Sequence, residues 1–358
     1  MIIKKNLHLK NLKRFRVSEG RNLKLGLRLD RNEKVDNWPE DFINKVLESK
    51  PEGFFSMYPE ITPLYKKLSE HLKVSDKQIL ITSGIDGSIK NLFAVLTEEG
   101  DKIGVFSPTY LMYEIYSEIF KTKFFPLTYS SDYKFIKNEL DDFLSQNPKI
   151  LFVPNPNQPI ESSLNLSELK ELAQKCKNKN CFLVLDEAYY MLGADTGISL
   201  LKDFDNVIIL RTFSKAFGVP SIRAGFTIST EENMEVISKM RLAHELSSTS
   251  IAVAEYLLDN FHIVEEYCNK LKKSRDKTLS EIKKLGFEVR GKHGNYLLIT
   301  FKNNEIANNV VNFLKEKLIY VKGPYKGPWN KCIGVTIGIE EKMKSFILAM
   351  KEAKKSIF

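Results

Sequence analysis

Long apolar runs are missing from this 358-residue chain. No stretch approaches the roughly 20 apolar residues of a membrane-spanning helix, so a membrane partner is not expected. The start, Met1-Ile-Ile-Lys-Lys5, is too short an apolar run for a secretory signal. Cysteine is scarce: Cys176, Cys181, Cys268 and Cys332 form no Cys-x-x-Cys pair, and none of the five histidines stands at metal-ligand spacing from them. Neither a disulfide framework nor a metal site is expected; free thiols in a reducing compartment are. These absences predict a soluble, cytoplasmic protein. Acidic residues are outnumbered, giving a net charge of 54 − 45 = +9. The excess is scattered as pairs such as Lys66-Lys67, Lys272-Lys273 and Lys354-Lys355 on helix-like segments. Without a recognition motif such pairs read as solvated faces, so no nucleic-acid partner is expected.

What the chain does contain is alternation. Apolar runs suited to strands occur at Leu23–Leu29, Gln78–Thr82, Lys102–Phe106, Lys123–Leu127, Lys149–Val153, Cys181–Leu185, Asn206–Leu210 and Ala224–Ile228. Amphipathic segments lie between them. Thr62-Pro63 starts a helix whose apolar stripe is Leu64, Leu68 and Leu72. Gly84-Ile-Asp-Gly87 turns into another, Ser107-Pro-Thr-Tyr110 opens a third, and Ser167 caps one running to Cys176. Continuous apolar strands between helices predict an α/β fold with a mostly parallel sheet sandwiched by helices. After about residue 231 long helices are expected at 231–245 and 249–285. Strands return at Phe287–Val289, Tyr296–Phe301 and Ile333–Ile337, with helices near 305–317 and 340–355. That change of pattern predicts a second, smaller α+β domain.

In such sheets ligands bind beyond the carboxyl ends of the strands, and the unusual polar motifs cluster there. Arg211-Thr-Phe-Ser-Lys-Ala-Phe-Gly218 follows a strand and precedes Arg223. Leu185-Asp-Glu-Ala-Tyr189 closes another. Pyridoxal phosphate (PLP) chemistry needs a lysine for the aldehyde and an acid to keep the ring nitrogen protonated. It also needs donors for the phosphate and a group at the ring's 3-oxygen. Lys215, Asp186 and Tyr189 suit the first, second and fourth needs. The phosphate candidates are the backbone N–H groups of Ile85 and Asp86 at a helix start, the Ser214 hydroxyl and Arg223. Tyr110 is a candidate to stack on the ring.

On these motifs, together with Asn32-Glu33, Tyr58-Pro59, Pro108-Thr-Tyr110 and Asn155–Pro159, the chain resembles the fold-type I PLP-dependent class I/II aminotransferases, especially histidinol-phosphate aminotransferase. The similarity spans nearly the whole chain. It implies a large PLP-binding domain at residues 37–245 and a small domain built from 1–36 and 246–358 that closes over a small-molecule substrate. It implies a homodimer with shared active sites, in which Tyr58 reaches the phosphate of the partner's cofactor. Lys215 would hold PLP and then move the substrate's α-proton. Asn32 would belong to the substrate site.

Two departures from the family pattern stand out. Where the family has Asn-Pro-Thr-Gly, this chain has Gln158-Pro-Ile-Glu161. Gln158 is the preferred donor to the 3-oxygen, with Asn157 the alternative. Where the family has Arg-x-Thr-x-Gly, gripping a carboxylate or phosphate, the strand here reads Gly334-Val-Thr-Ile-Gly338. A glycine has no charged fork for an anion. Lys322 and Lys326 are the first candidates to replace it, ahead of Arg31 and His244. The sequence therefore predicts an aminotransferase for a small phosphorylated amino alcohol or related ketone. Decarboxylation of a phosphorylated amino acid such as O-phosphoserine is the alternative.

Overall fold

The computed structural model describes Leu9, Leu12 and residues 26–48, 50–130 and 134–357. The chain enters through strand β1 (Leu27–Leu29), α1 (Phe42–Leu47) and α2 (Thr62–Leu72). Pro63 stands in the first turn of α2, where its missing N–H leaves no bond unmade, and Leu64, Leu68 and Leu72 form the buried stripe. Strand and helix then alternate through β2 (Ile79–Thr82), α3 (Gly84–Leu96), β3 (Lys102–Phe106), α4 (Met112–Ile119), β4 (Lys123–Leu127) and α5 (Lys137–Ser145). Next come β5 (Ile150–Pro154), α6 (Leu166–Lys177), β6 (Phe182–Asp186), β7 (Val207–Thr212) and β8 (Gly225–Ile228).

These strands form one seven-stranded sheet in the order β2-β8-β7-β6-β5-β3-β4. From β7 to β4 all pairings are parallel; β8 runs antiparallel to both β2 and β7. The sheet's two faces are both covered. In β5, Ile150 and Phe152 join one core cluster with Ile89 and Phe93 of α3, while Leu151 and Val153 join the other. That division follows from the two-residue side-chain period of a strand.

The remainder is α7 (Glu231–Ile237), α8 (Ser248–Asp259), α9 (Phe261–Lys284), β9 (Glu288–Arg290), β10 (Tyr296–Thr300), α10 (Asn304–Glu316), β11 (Ile319–Val321), β12 (Cys332–Thr336) and α11 (Glu340–Ile357). Strands β12-β10-β9 make an antiparallel sheet. The N-terminal β1 pairs in parallel with β11, Leu27 opposite Ile319. No helix among the described residues is long and apolar enough to cross a membrane.

The structure differs from the expected elements in several places. The expected strand Leu23–Leu29 is seen as Leu27–Leu29; residues 23–25 lie outside the described residues. Helix α6 is capped by Asn165, not Ser167: the Asn165 side chain accepts from Glu168 N, and the Glu168 carboxylate accepts from Asn165 N. That reciprocal pair satisfies two otherwise orphaned donors. Helix α4 begins at Met112, two residues beyond Tyr110. The expected helix at 231–245 stops at Ile237, followed by a short 3-10 turn. The expected helix at 249–285 is two helices, broken at Asn260 (φ −112°, ψ 46°), where Nδ2 and the backbone N both donate to Tyr256 O (each 2.9 Å). Strand β11 was not expected; three residues carry too little pattern to read.

Beneath the sheet's carboxyl edge lies a buried ion pair. Arg211, in β7, and Glu187, just after β6, each have side chains 2% exposed. Arg211 Nε donates to Glu187 Oε2 (2.9 Å) and Nη2 to Thr196 Oγ1 (2.7 Å). Gly197 N donates to Glu187 Oε1 (2.6 Å), and the guanidinium lies 3.6 Å over the Tyr190 ring. Removing one partner strands a buried charge. Glu187→Ala is expected to lower stability by about 3–5 kcal/mol, read by denaturant unfolding. Replacing Arg211 and Glu187 together with apolar residues of similar volume is expected to recover most of that loss.

Candidate active site

One cavity of about 780 Å³ opens where these strand ends meet. Asp186 ends β6, Lys215 follows β7 by three residues, and Ile85 and Asp86 lie in the first turn of α3 after β2; all line it. The sheet topology thus brings together residues more than a hundred positions apart.

Asp186 is held by two donors. Tyr113 of α4 donates its hydroxyl to Oδ2 (2.5 Å), and Ala188 N donates to Oδ1 (2.9 Å). Burial nonetheless pushes the carboxyl up to about 6, against both hydrogen bonds, with the Glu187 and Asp86 charges adding to the rise. A cationic neighbour in the cavity would favour the carboxylate.

Lys215 Nζ donates to Asn32 O (2.9 Å) and Arg31 O (3.3 Å) and lies 5.8 Å over the Tyr189 ring. Burial pushes the ammonium down to about 8; Arg223 adds to that, while Glu33 and Asp186 oppose it. The lysine is therefore partly neutral near pH 8, the form that attacks a carbonyl or accepts a proton. Asn32, at φ 53°, is fixed from three sides. Its N donates to Thr336 Oγ1 (2.8 Å), its Oδ1 accepts from the same hydroxyl (3.1 Å), and its Nδ2 donates to Tyr189 Oη (2.8 Å). Tyr189 thereby keeps its own hydrogen to donate, and burial raises its phenol so that it stays protonated.

The other end of the cavity suits an anion. The leading N–H groups of α3 have no intrahelical acceptors, and Ser83 gives the helix no side-chain cap. Gly84 has φ +72°, and a Cβ there would lie 2.9 Å from Arg223 Nη2. The missing side chain lets the guanidinium rest against the helix start. Arg223 Nη1 also donates to Pro220 O (3.1 Å). Ser214 Oγ accepts from Thr212 Oγ1 (2.9 Å), which leaves its hydrogen available. Tyr110 donates to Asp86 Oδ1 (2.9 Å), so its ring is tethered beside the helix start.

The expected residues do not all converge. Gln158 lines the cavity, and its Nε2 donates to Tyr325 Oη (3.2 Å). Asn157, the alternative, is fully buried and donates to Pro108 O (2.9 Å), away from the role considered for it. Lys322 and Arg31 line the cavity. Lys326 is exposed and is not part of the cavity wall, which corrects its expected place in the substrate site. Tyr58 is 83% exposed and stacks on His244 at 4.4 Å, also outside the cavity of this chain. Sequence reasoning missed Tyr113, which lies on a core-facing part of α4 where no sequence feature sets it apart from a packing tyrosine.

Lys215 provides a direct check. Its labelling by an amine-acylating reagent, followed by peptide mass spectrometry, is expected to rise with pH and level off near 8. Exposed lysines keep rising to about 10.4.

Residues 31–346 match the family described as aminotransferase class I and II. The chain is 28% identical over 346 residues to a histidinol-phosphate aminotransferase of Clostridium novyi (strain NT), covering 96% of each. It is 27% identical over 324 residues to one of Thermoanaerobacter pseudethanolicus, covering 88% of this chain and 90% of that one. Among solved structures, histidinol-phosphate aminotransferase from Sinorhizobium meliloti in complex with pyridoxal-5'-phosphate superposes with a TM-score of 0.89. That match has 23% identity and covers 100% of this chain and 99% of that one; it is a likeness of fold.

Proposed function

The chain belongs to the class I and II aminotransferase family, whose cofactor is pyridoxal phosphate, and on that premise we propose that it transfers the amino group of a small phosphorylated amino alcohol to a keto acid, and the reverse. The observation that carries the reading is the cavity itself. It places a depressed lysine, a buried carboxyl in need of a cation, and a helix start reinforced by arginine around one space. These residues fit the cofactor: its phosphate to the N–H groups of Ile85 and Asp86, Ser214 and Arg223, its ring nitrogen to Asp186, its 3-oxygen to Tyr189 and Gln158. Tyr110 would cover the ring.

When bound, pyridoxal phosphate supplies an electron-accepting ring that stabilises negative charge on the carbon bearing the amino group. The chain's residues do the rest. Asp186, anchored by Tyr113 and Ala188 N, would hold the positive charge at the ring nitrogen. Lys215 Nζ would hold the cofactor and, once freed by substrate, would carry the proton to and from the amine-bearing carbon. A value of about 8 lies near working pH, where a general base is most effective. Asn32 positions both the Tyr189 hydroxyl and, through its carbonyl, Lys215 Nζ. Lys322 lines the cavity and would be the contact for the substrate's phosphate.

In the same reading residues 37–245 form the cofactor-binding unit, and residues 1–36 with 246–358 form the unit that closes over substrate. The protein works as a cytoplasmic homodimer. Phe55, Met57 and Tyr58 are 75%, 55% and 83% exposed, an apolar surface suited to burial against a second copy, where Tyr58 would reach the partner's cofactor phosphate. Decarboxylation has less support, since both relatives named above are aminotransferases.

Protein loaded with pyridoxal phosphate is expected to show a near-visible absorbance band that Lys215→Ala abolishes. Asp186→Asn is expected to keep cofactor but lose on the order of 100-fold or more in turnover. Consumption of the band by glutamate, with release of a keto acid, supports transamination. Carbon dioxide release from O-phosphoserine would support decarboxylation instead. A colourless protein that ignores added cofactor would sink the reading.

A further inference from the structure

Lys34 stands two residues after Asn32 and is not part of the cavity wall. Its side chain is nonetheless only 8% exposed, an unusual place for a lysine. The ammonium is caged. It pairs with Asp36, lies 4.2 Å over the Tyr267 ring of α9 and 5.1 Å over the Trp38 ring. Burial lowers this ammonium below its ordinary range; Asp36 opposes that fall and Lys270 adds to it. The stem of the side chain rests on Gly218, where a Cβ would lie 2.8 Å from Lys34 Cδ and 3.5 Å from its Cβ and Cγ. Trp38 Nε1 donates to the carbonyl of the same glycine (3.2 Å). Gly218 N in turn donates to Lys215 O (3.1 Å), closing the turn that carries the lysine.

Stability alone does not explain the cage. Asp36 Oδ1 and Tyr267 Oη are buried without hydrogen-bond partners among the described residues. Each such group costs about 1–3 kcal/mol, and a buried ion pair seldom outweighs the apolar packing that could replace it. What the cage does is join two parts of the site. Asn32 is bonded to Thr336, Tyr189 and Asn295, which fixes the carbonyls that accept from Lys215 Nζ. None of those three residues bonds the backbone turn at 215–218. Lys34 and Trp38 are on the same segment as the acceptors and lie against the same turn as the lysine.

We infer that Lys34 is a positioning residue for amino transfer: caged by Asp36, Trp38 and Tyr267 and laid on Gly218, it locks residues 31–38 to the lysine turn and so sets the Arg31 and Asn32 carbonyls against Lys215 Nζ. Its role rests on the amino-transfer reading above and deepens it. Once substrate frees the lysine, those carbonyls hold the amine in place for the proton transfer. The groups that would take the cofactor's phosphate, Ile85, Asp86, Ser214 and Arg223, make no contact with the cage. Lys34 therefore bears on turnover rather than on capture of the cofactor.

Lys34→Met keeps an apolar stem on Gly218 and removes the cation. Lys34→Met with Asp36→Asn also removes the carboxylate that the first change strands, and it carries the test where the single variant fails to fold. In protein free of cofactor, the midpoint of Lys215 acylation against pH is expected near about 8 in the parent. In either variant it is expected to rise by about half a unit or more, towards the roughly 10.4 of exposed lysines. Burial is the largest cause of the depressed value. Water admitted by a loosened segment relieves that burial and accepts the hydrogens the carbonyls took. In loaded protein the absorbance band is expected to persist and KM to change little, while kcat falls about 10- to 100-fold, the cost of misplacing a catalytic group by about 1 Å. A midpoint unmoved in both variants overturns the role, whatever happens to Tm, and so does an unchanged kcat. A parent that binds cofactor but transfers no amino group overturns the reaction instead, and the midpoint then still decides whether Lys34 places Lys215.

Discussion

The Arg211–Glu187 ion pair is the constraint on which the rest of the site depends. It joins the residue after Asp186 to the strand that delivers Lys215, so the acid and the lysine are referenced to one rigid point. Glu187 N also donates to Leu210 O (2.9 Å), extending the β6–β7 ladder past its last paired residues. Both charges are desolvated, and each is satisfied by Thr196, Gly197 or the Tyr190 ring as well as by its partner. Satisfied in this way, a buried pair fixes geometry more than it adds stability. Positioning of that kind is what a proton transfer between fixed groups requires.

The cofactor end was legible because its determinants are local. Asp186, Lys215 and the Gly84 turn each follow an apolar strand directly, and the rule that ligands gather at strand carboxyl ends needs no tertiary detail. The fold was legible for the same reason, as continuous apolar strands announce a sheet buried on both faces. Tyr113 was not legible. It lies on a core-facing part of α4, where a tyrosine reads as packing, and its hydroxyl acquires meaning when α4 is laid across β6. Helix ends were misread where side chains competed with the backbone, as at Asn260 and Asn165.

The substrate end resisted for a different physical reason. Its parts come from irregular segments joined by long-range pairing. Lys322 and Lys326 look equivalent in sequence, both basic and both beside glycine. Lys322 is fixed by its two backbone bonds to Gly334, whereas Lys326 lies beyond Tyr325 in solvent. Gly334 looked like a loss. In the folded chain the place of its missing side chain is taken by the Tyr325 hydroxyl, contributed by a turn with no pattern of its own.

Strand β1 carries a consequence for how the protein is made. Residues 27–29 are synthesised long before their partners at 319–321. Asn32 likewise waits for Thr336, 304 residues downstream. The seven-stranded sheet is complete with β8, which ends at Ile228, well before residues 319–336 are made, so it is free to fold during synthesis as a unit. Lys215 and Asp186 are therefore assembled first, and the Asn32 carbonyl that receives Lys215 Nζ arrives last. A nascent chain that has not yet reached Thr336 would carry the lysine and the acid with Asn32 made but not held in place. Such a chain would own the cofactor's chemistry before it owned any means of choosing a substrate.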